Sequence, residues 1–375
     1  MIVAREVNED KKGMMDFINL PYKIYRNDSN WCPPLRIERK RFFSPANPFS
    51  THSKIAYFVA YKGTKPVGRI TAHIDELFNS YHHTKHGFFG FFESAFSLDV
   101  AESLMKQAEH WLGYRGMNKI IGPLNFSTNH EVGFLTKGFN RPPVIMMPYT
   151  KEYYPDMLYR LGYCKEKELI AYWQGNVKGI PPLVQNAVER LNKRYGDAIY
   201  IRNINKRNLK SDLNIILDIY NDSWSKNWGF VPFTDEEILK IAKELKNIAI
   251  PDITSLLYKD GEPAAFFFAV PDINEVLIQI RTGRLFPTGL LKLLLCRHRI
   301  RTARVMLMGV KTKYRKHGFD FMMFRRMYDA MLRKTSLKNI EMSAILEDNR
   351  MMIRALERLN AYPYKKYIIL KKTLK

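Results

Sequence analysis

"RVMLMGVKTKYRKHGFD", residues 304–320, decides how the chain is read. An apolar strand-like run, 304–311, gives way at 312–318 to a loop crowded with basic side chains, a histidine and Gly318. A helix pattern follows, with Phe324, Met327, Tyr328 and Met331 at i, i+3, i+4 and i+7 and Arg325, Arg326, Asp329 and Arg333 on other faces. Where a strand runs through such a loop into a helix, the loop amides and the positive helix end converge on one spot. An anion sits well there, and phosphate is the natural guest. Gly318 allows the backbone an approach that a Cβ would obstruct.

Working outward, the charge is concentrated around this stretch. The chain has 375 residues and a formal charge of +23, from 60 basic and 37 acidic residues. Residues 281–340 hold sixteen Lys and Arg against Asp320 and Asp329, a net +14. An anionic partner is expected: a phosphorylated cofactor, nucleic acid or a membrane surface. With 46% hydrophobic and 13% aromatic residues the chain is globular, and its length suits two domains. The apolar block Leu290–Cys296 is interrupted by Lys292 and is too short to cross a bilayer. Three separated cysteines, Cys32, Cys164 and Cys296, make neither a disulfide framework nor a zinc cluster. A cytoplasmic protein with no metal is the expectation.

The chain also repeats itself. "YKGTKPVGRITAHID" (61–75) lies on "YKDGEPAAFFFAVPD" (258–272) without a gap, pairing Tyr61 with Tyr258, Pro66 with Pro263 and Asp75 with Asp272. "MLYRLGYCKEKELIAY" (157–172) matches "ALERLNAYPYKKYIIL" (355–370), and "KIYRNDSNW" (23–31) echoes "DIYNDSWSKNW" (218–228). Three matches in one order at nearly one offset indicate a tandem duplication. Gly175, Gly179 and Pro181-Pro182 punctuate the junction, so the expected domains are 1–178 and 179–375. The second copy reads as strand 198–204, helix 208–224, helix 235–246 opened by the capping box Thr234-x-x-Glu237, and a hairpin 253–259 and 263–270. There follow an inserted helix 287–298, the strand and helix already described, strand 339–346, helix 349–360 and a last strand or pair of strands over 363–372. The fold class is α/β with a mixed sheet.

Arg315, Lys316, His317, Gly318 and Phe319 resemble the acyl-CoA loop of the GNAT superfamily of N-acetyltransferases. The pattern there is Arg or Gln, two residues, Gly, one residue, then Gly or Ala; Asp320 holds the last position here. Asn349 opens the next helix as in that superfamily, Leu356 stands where a Tyr is habitual, and Leu161-Gly162-Tyr163 preserves the helix-closing signature in the first copy. The resemblance implies two tandem GNAT-like folds and transfer of an acyl group, from acetyl-CoA or another acyl-CoA as co-substrate, to the amine of a small molecule, lipid or peptide. It places the cofactor against Met308, Gly309, Val310, Arg315, Lys316, His317, Gly318, Phe319 and Asn349. The first copy's equivalent, "KHGFFGFFESAFSLDVAESL", lacks Arg-x-x-Gly and carries Glu93 and Asp99, so one cofactor site is expected, in the second copy.

Direct attack of an amine on a thioester needs a proton acceptor. Glu347, at the end of "SAILEDN", is the candidate base; its alternative role is to favour the positive end of the following helix. Trp224, Trp228 and Phe230 in "SWSKNWGFVPFTDEE" are candidates for the acceptor wall or for anchoring that loop on the core. "NFSTNHEVGFLTKG" (125–138) is either a substrate contact or turn chemistry. His82, His83 and His86 read as a solvated loop rather than a metal site. "LLKLLLCRHRIRTAR" (290–304) reads first as a packed helix whose cations serve the cofactor, and second as a surface for anionic lipid. A non-catalytic nucleic-acid or membrane binder on a retired fold, with "RIERKRFF" (36–43) contributing, is the competing function.

Overall fold

The computed structural model describes every residue except Ala249, Thr335 and Lys375. The chain divides into two units, one of residues 1–169, 276–295 and 365–375, the other of 170–275 and 296–364. The division is thus not a single cut near 178. The insert before the basic strand and the end of the C-terminal strand belong with the first unit.

In chain order the first copy contains β1 (Ile2–Glu6), α1 (Lys11–Ile24), α2 (Arg36–Phe42), β2 (Ser53–Lys62), β3 (Lys65–Asp75), α3 (Glu76–His82), β4 (His86–Ser94), α4 (Leu98–Gly113), β5 (Lys119–Gly122), β6 (Phe134–Lys137), α5 (Tyr154–Arg160) and β7 (Cys164–Gln174). The second contains α6 (Pro182–Tyr195), β8 (Ile199–Asn203), α7 (Leu209–Trp224), α8 (Asp235–Ile248), β9 (Ser255–Lys259), β10 (Glu262–Pro271), α9 (Asn274–Leu277), α10 (Thr288–Cys296), β11 (Thr302–Val310), α11 (Phe319–Lys334), β12 (Asn339–Leu346), α12 (Arg350–Arg358) and β13 (Tyr362–Thr373). The elements expected of the second copy are present. Its capping box forms as written: Thr234 N donates to Glu237 at 2.9 Å and Glu237 N to Thr234 Oγ1 at 3.3 Å.

Strand order in the first unit is β1-β2-β3-β4-β5, with residues 365–373 of β13 pairing antiparallel to β5 and to β6. In the second it is β8-β9-β10-β11-β12. Among the described residues each unit contains one parallel pair, β4 with β5 and β11 with β12.

The internal repeat is structural down to the register. Tyr61 faces Pro66 and Lys62 faces Lys65, while 197 residues later Tyr258 faces Pro263 and Lys259 faces Glu262. In both hairpins the ladder then slips by one residue, so Ala60 meets Gly68 as Leu257 meets Ala265. A shared bulge at a shared offset is a feature of one ancestral hairpin rather than of β-propensity. The second match behaves likewise: α5 leads into β7 as α12 leads into β13, and the residue closing each helix, Gly162 or Asn360, has positive φ. Asparagine is among the few non-glycine residues that tolerate that conformation.

The first unit's core packs α4 on the sheet through Val100, Leu104, Met105 and Leu112 against Phe58, Ile70 and Phe89. Its other face carries an aromatic cluster that encloses His73. Burial pulls the imidazole down to about 4, against a raising contribution from the Phe126 carbonyl, which Nε2–H meets at 2.7 Å. The folded imidazole therefore stays neutral where an unfolded one, near 6.5, takes a proton. The cost appears as pH falls through 6.5 and levels off near 4. By pH 5 stability should drop by about 2 kcal/mol from this group alone. Denaturant titrations at pH 7 and 5 measure it, and a His73→Asn variant should lose that part of the slope; an unchanged slope would contradict the assignment.

Candidate active site

The parallel ladder between β11 and β12 is short. It runs from Thr302 opposite Asn339 to Val305 opposite Met342 and goes no further among the described residues. β11 continues to Val310 paired with β10 on its other side, with Met306 as the extra residue of a bulge opposite Phe268 and Ala269. Burial changes at the same place. Residues 302–305 are buried, whereas Met306, Leu307 and Met308 on one arm, and Ala344, Ile345 and Leu346 on the other, are half-exposed. Two strands that part while each keeps its conformation leave backbone groups and apolar side chains lining a fork.

At the closed end of this fork lies a buried polar cluster. Arg304 stands directly opposite Glu341 in the ladder, and their side chains approach to 3.8 Å. Glu341 also accepts from Ser343 Oγ at 3.0 Å and from Tyr364 OH at 3.2 Å. A fully buried carboxylate held this way is a structural group. Glu347 differs: it lies in the turn after β12, at the open end, and is half-buried. Of the two glutamates on this arm, Glu347 is the one a substrate can approach.

The basic loop follows β11. Lys311 pairs with Asp218 on α7 at 2.6 Å, and Lys313 pairs with Glu262, holding that carboxyl below its usual range through their hydrogen bond. Arg315 donates from Nη2 to the Ser223 carbonyl at 2.8 Å, which fixes its position without neutralising it. Lys316 is exposed and has no acidic partner among the described residues. Lys316 (φ +66°) and Gly318 (φ +83°) are both left-handed. Among the described residues the amides of Lys316, Gly318 and Phe319 take no backbone acceptor. Three unclaimed N–H groups in a loop of alternating handedness, at the start of a sixteen-residue helix, form a cradle for an anion. His317 stacks 6.0 Å from Tyr195 and meets Phe319 edge-on, so its ring braces the loop.

Asp320 has turned onto the helix start, where its carboxylate accepts from its own amide and that of Phe321. Burial raises its pKa above the usual carboxylate range despite those bonds. Its charge still opposes an anion in the cradle. With a CoA diphosphate in the cradle, as the sequence resemblance implies, Asp320→Asn should tighten binding by about tenfold, the scale of one unit charge several Å away at an effective dielectric near 20. In the wild type the same affinity should rise as pH falls toward the Asp320 pKa, because protonation removes that charge. Calorimetric titrations across pH check both.

Other expected site residues take the following places. Met308, Gly309 and Val310 end β11 on the fork; a Cβ at Gly309 would meet Phe266 and Ser223 at 2.6 Å, so glycine is required for close packing under α7. Trp224, half-buried at the end of α7, donates its indole N–H to the Met308 carbonyl at 3.1 Å and braces the fork strand. Trp228 is half-buried in the loop beyond. Phe230, at 4% exposure, packs 5.3 Å from Tyr220 in the core, in keeping with the anchoring alternative for that loop. Asn349 Oδ1 accepts from Met352 N at 3.2 Å, which makes it the cap of α12. Leu356 is 1% exposed and belongs to the core. Among the described residues no group of His, Cys, Asp and Glu is arranged for a metal.

The equivalent place in the first unit is closed. The β4–β5 ladder ends at Phe88 opposite Ile121, but the chain stays on β4 beyond it, with Leu124 N bonded to Phe89 O at 2.8 Å and Phe91 N to Asn125 Oδ1 at 2.7 Å. Gly90 is essential to that closure, since a Cβ there would lie 1.9 Å from the Leu124 carbonyl. Phe126 then fills the space, stacked on Phe42 at 5.1 Å and Phe49 at 4.9 Å. The polar stretch 125–138 thus begins as a plug. Asn125 and Glu131 bond at 2.9 Å, and His130 Nδ1 lies 2.9 Å from Ser127 Oγ, so its turn chemistry is realised.

Mixed strand pairing in each unit, with a parallel pair in each and a fork followed by a basic cradle in the second, defines a tandem acyltransferase fold of the GNAT type. Among solved structures the chain resembles the tandem GNAT protein of the clavulanic acid biosynthesis pathway, with a TM-score of 0.57, 10% identity, and coverage of 100% of this chain and 98% of that one. It also resembles a GCN5-related N-acetyltransferase from Sphaerobacter thermophilus, with a TM-score of 0.53, 9% identity and coverage of 100% and 96%. No family model matches the sequence. Full-length relatives do: protein YghO of Escherichia coli K12 is 36% identical over 97% of this chain and 94% of its own length. The bacterial ceramide synthase of Caulobacter vibrioides is 33% identical over 96% and 94%. The chain belongs to the family of these two proteins, within the GNAT superfamily. No helix among the described residues is long and apolar enough to cross a membrane.

Proposed function

We propose that the chain transfers an acyl group from an acyl-CoA to an amine, at a single site in the second unit. The fork between β11 and β12, with the cradle at Lys316, Gly318 and Phe319 following β11 in the chain, is the observation that supports it. The amides and the Arg315 and Lys316 charges hold the diphosphate, and the parted strands receive the pantetheine arm. Held there, the thioester carbonyl faces the open end, where Glu347 stands. The amine nitrogen attacks that carbon; a C–N bond forms and the C–S bond breaks. Glu347 takes the proton lost by nitrogen, and the departing thiolate takes one from water, since Leu356 offers no acid. Positioning of the two reactants supplies much of the rate. The closed counterpart in the first unit leaves that unit a supporting role.

The kinship with a ceramide synthase supports a long-chain amino alcohol as acceptor, since a ceramide is the amide of such an amine. The test is an assay by mass spectrometry with acetyl-CoA and palmitoyl-CoA against a sphingoid base and a small primary amine. An N-acyl product with release of free CoA is expected for the sphingoid base. Binding of acyl-CoA with no amide from any amine would overturn catalysis; amide from the small amine alone would overturn the acceptor.

A further inference from the structure

The insert between β10 and β11 carries apolar side chains that nothing among the described residues covers. Phe286 is 67% exposed, Leu291 58%, Leu294 60% and Leu295 66%. The three leucines are spaced i, i+3 and i+4, so they form one face of α10. The opposite face is also apolar: Gly289 is buried, Leu290 and Leu293 are half-buried, and a Cβ at Gly289 would lie 3.2 Å from Ile280. A helix apolar on both faces is ordinarily enclosed. This corrects the expectation of a packed helix, because α10 buries only its inner side.

The surroundings indicate what meets the outer side. No acidic residue occurs between Glu275 and Asp320. Arg284 and Lys292 flank the exposed leucines, and the chain runs on into the exposed Arg299 and Arg301; the Arg297 side chain lies outside the described ones. The insert is tied down: Arg281 Nη1 donates to the Trp31 carbonyl and Arg36 N to the Gly283 carbonyl, both at 2.8 Å. The second bond holds α2, with exposed Lys40 and Arg41, against the same loop. An exposed, leucine-rich face flanked by cations, in a run without acids from 276 to 319, matches neither a groove for an acyl chain nor nucleic acid, which gains nothing from leucines. Pairing with a second copy would set cation against cation.

We propose that Phe286 and the outer face of α10 insert into the interfacial layer of a bilayer containing anionic phospholipid, with the neighbouring arginines and lysines on the headgroups. At nine residues α10 is about 14 Å long, enough to lie in the interface and too short to span it. The inference stands apart from acyl transfer and is tested without CoA.

The full chain is sedimented with vesicles of phosphatidylcholine and phosphatidylglycerol, and with phosphatidylcholine alone. The wild type should partition into the mixed vesicles at least about tenfold better. The triple variant Leu291→Ser, Leu294→Ser, Leu295→Ser should lower that partition by about 100-fold, with an unchanged melting temperature because these side chains are exposed. Arg284→Glu with Lys292→Glu should remove the preference for anionic lipid. No sedimentation with either vesicle overturns the proposal. So does equal binding by the serine variant, which would mean charge contact alone. A wild-type dimer that the serine substitutions convert to monomer, without vesicle binding, overturns it in favour of self-association.

Discussion

Gly318→Val should raise the dissociation constant for acyl-CoA by at least about 100-fold while the chain remains folded. The effect is steric and local. Gly318 has φ +83°, which a β-branched residue adopts only under strain of about 1–3 kcal/mol. A Cβ there would also lie 3.3 Å from both Leu191 methyl groups, so α6 resists the change from one side. The loop relieves the strain by rotating its peptides, and the amides of Gly318 and Phe319 then no longer converge with that of Lys316. Losing two or three hydrogen bonds to a charged diphosphate, at about 1.5–3 kcal/mol each, gives the stated factor or more. Equilibrium titration measures it, with the melting temperature as control. Retained affinity in a folded variant would remove the cradle from the account.

Glu347→Gln should lower kcat by about 10²–10³ with acyl-CoA affinity nearly unchanged. Glutamine keeps the size of the side chain and its contacts but cannot accept a proton. If Glu347 instead serves only the start of α12, the substitution costs about 0.3–1 kcal/mol of stability and leaves the pH profile alone. The two roles separate cleanly, because the acidic limb of the wild-type pH–rate profile, where activity falls as the carboxylate is protonated, should disappear in the variant only if the carboxylate takes the proton. Glu341 is the useful contrast. Its replacement by alanine strips Arg304 of its buried partner and should show as a loss of about 3–5 kcal/mol in folding.

Much of this architecture is written locally in the chain. The hairpins at 53–75 and 255–271 repeat their turn, their proline and their bulge because register is set by short-range turn geometry, which sequence preserves. The basic loop is legible for the same reason: cations, glycine and the helix pattern lie within twenty residues. The plug in the first unit is not legible. Phe126 closes the fork from a positive-φ position, stacked on Phe42 and Phe49 more than seventy residues away, and an aromatic gives no sign of that conformation. Phe230 and Leu291 illustrate the complementary difficulty. Apolar residues in irregular or short helical stretches look alike in sequence, yet one is buried and the other 58% exposed, because only the tertiary neighbours differ.

A crystal structure of the full chain with CoA tests the central claim most directly. The account predicts one CoA per chain, its diphosphate oxygens about 2.7–3.1 Å from the amides of Lys316, Gly318 and Phe319, and its pantetheine arm between the parted ends of β11 and β12. A diphosphate bound elsewhere, or strands β11 and β12 drawn together with the arm excluded, would contradict it.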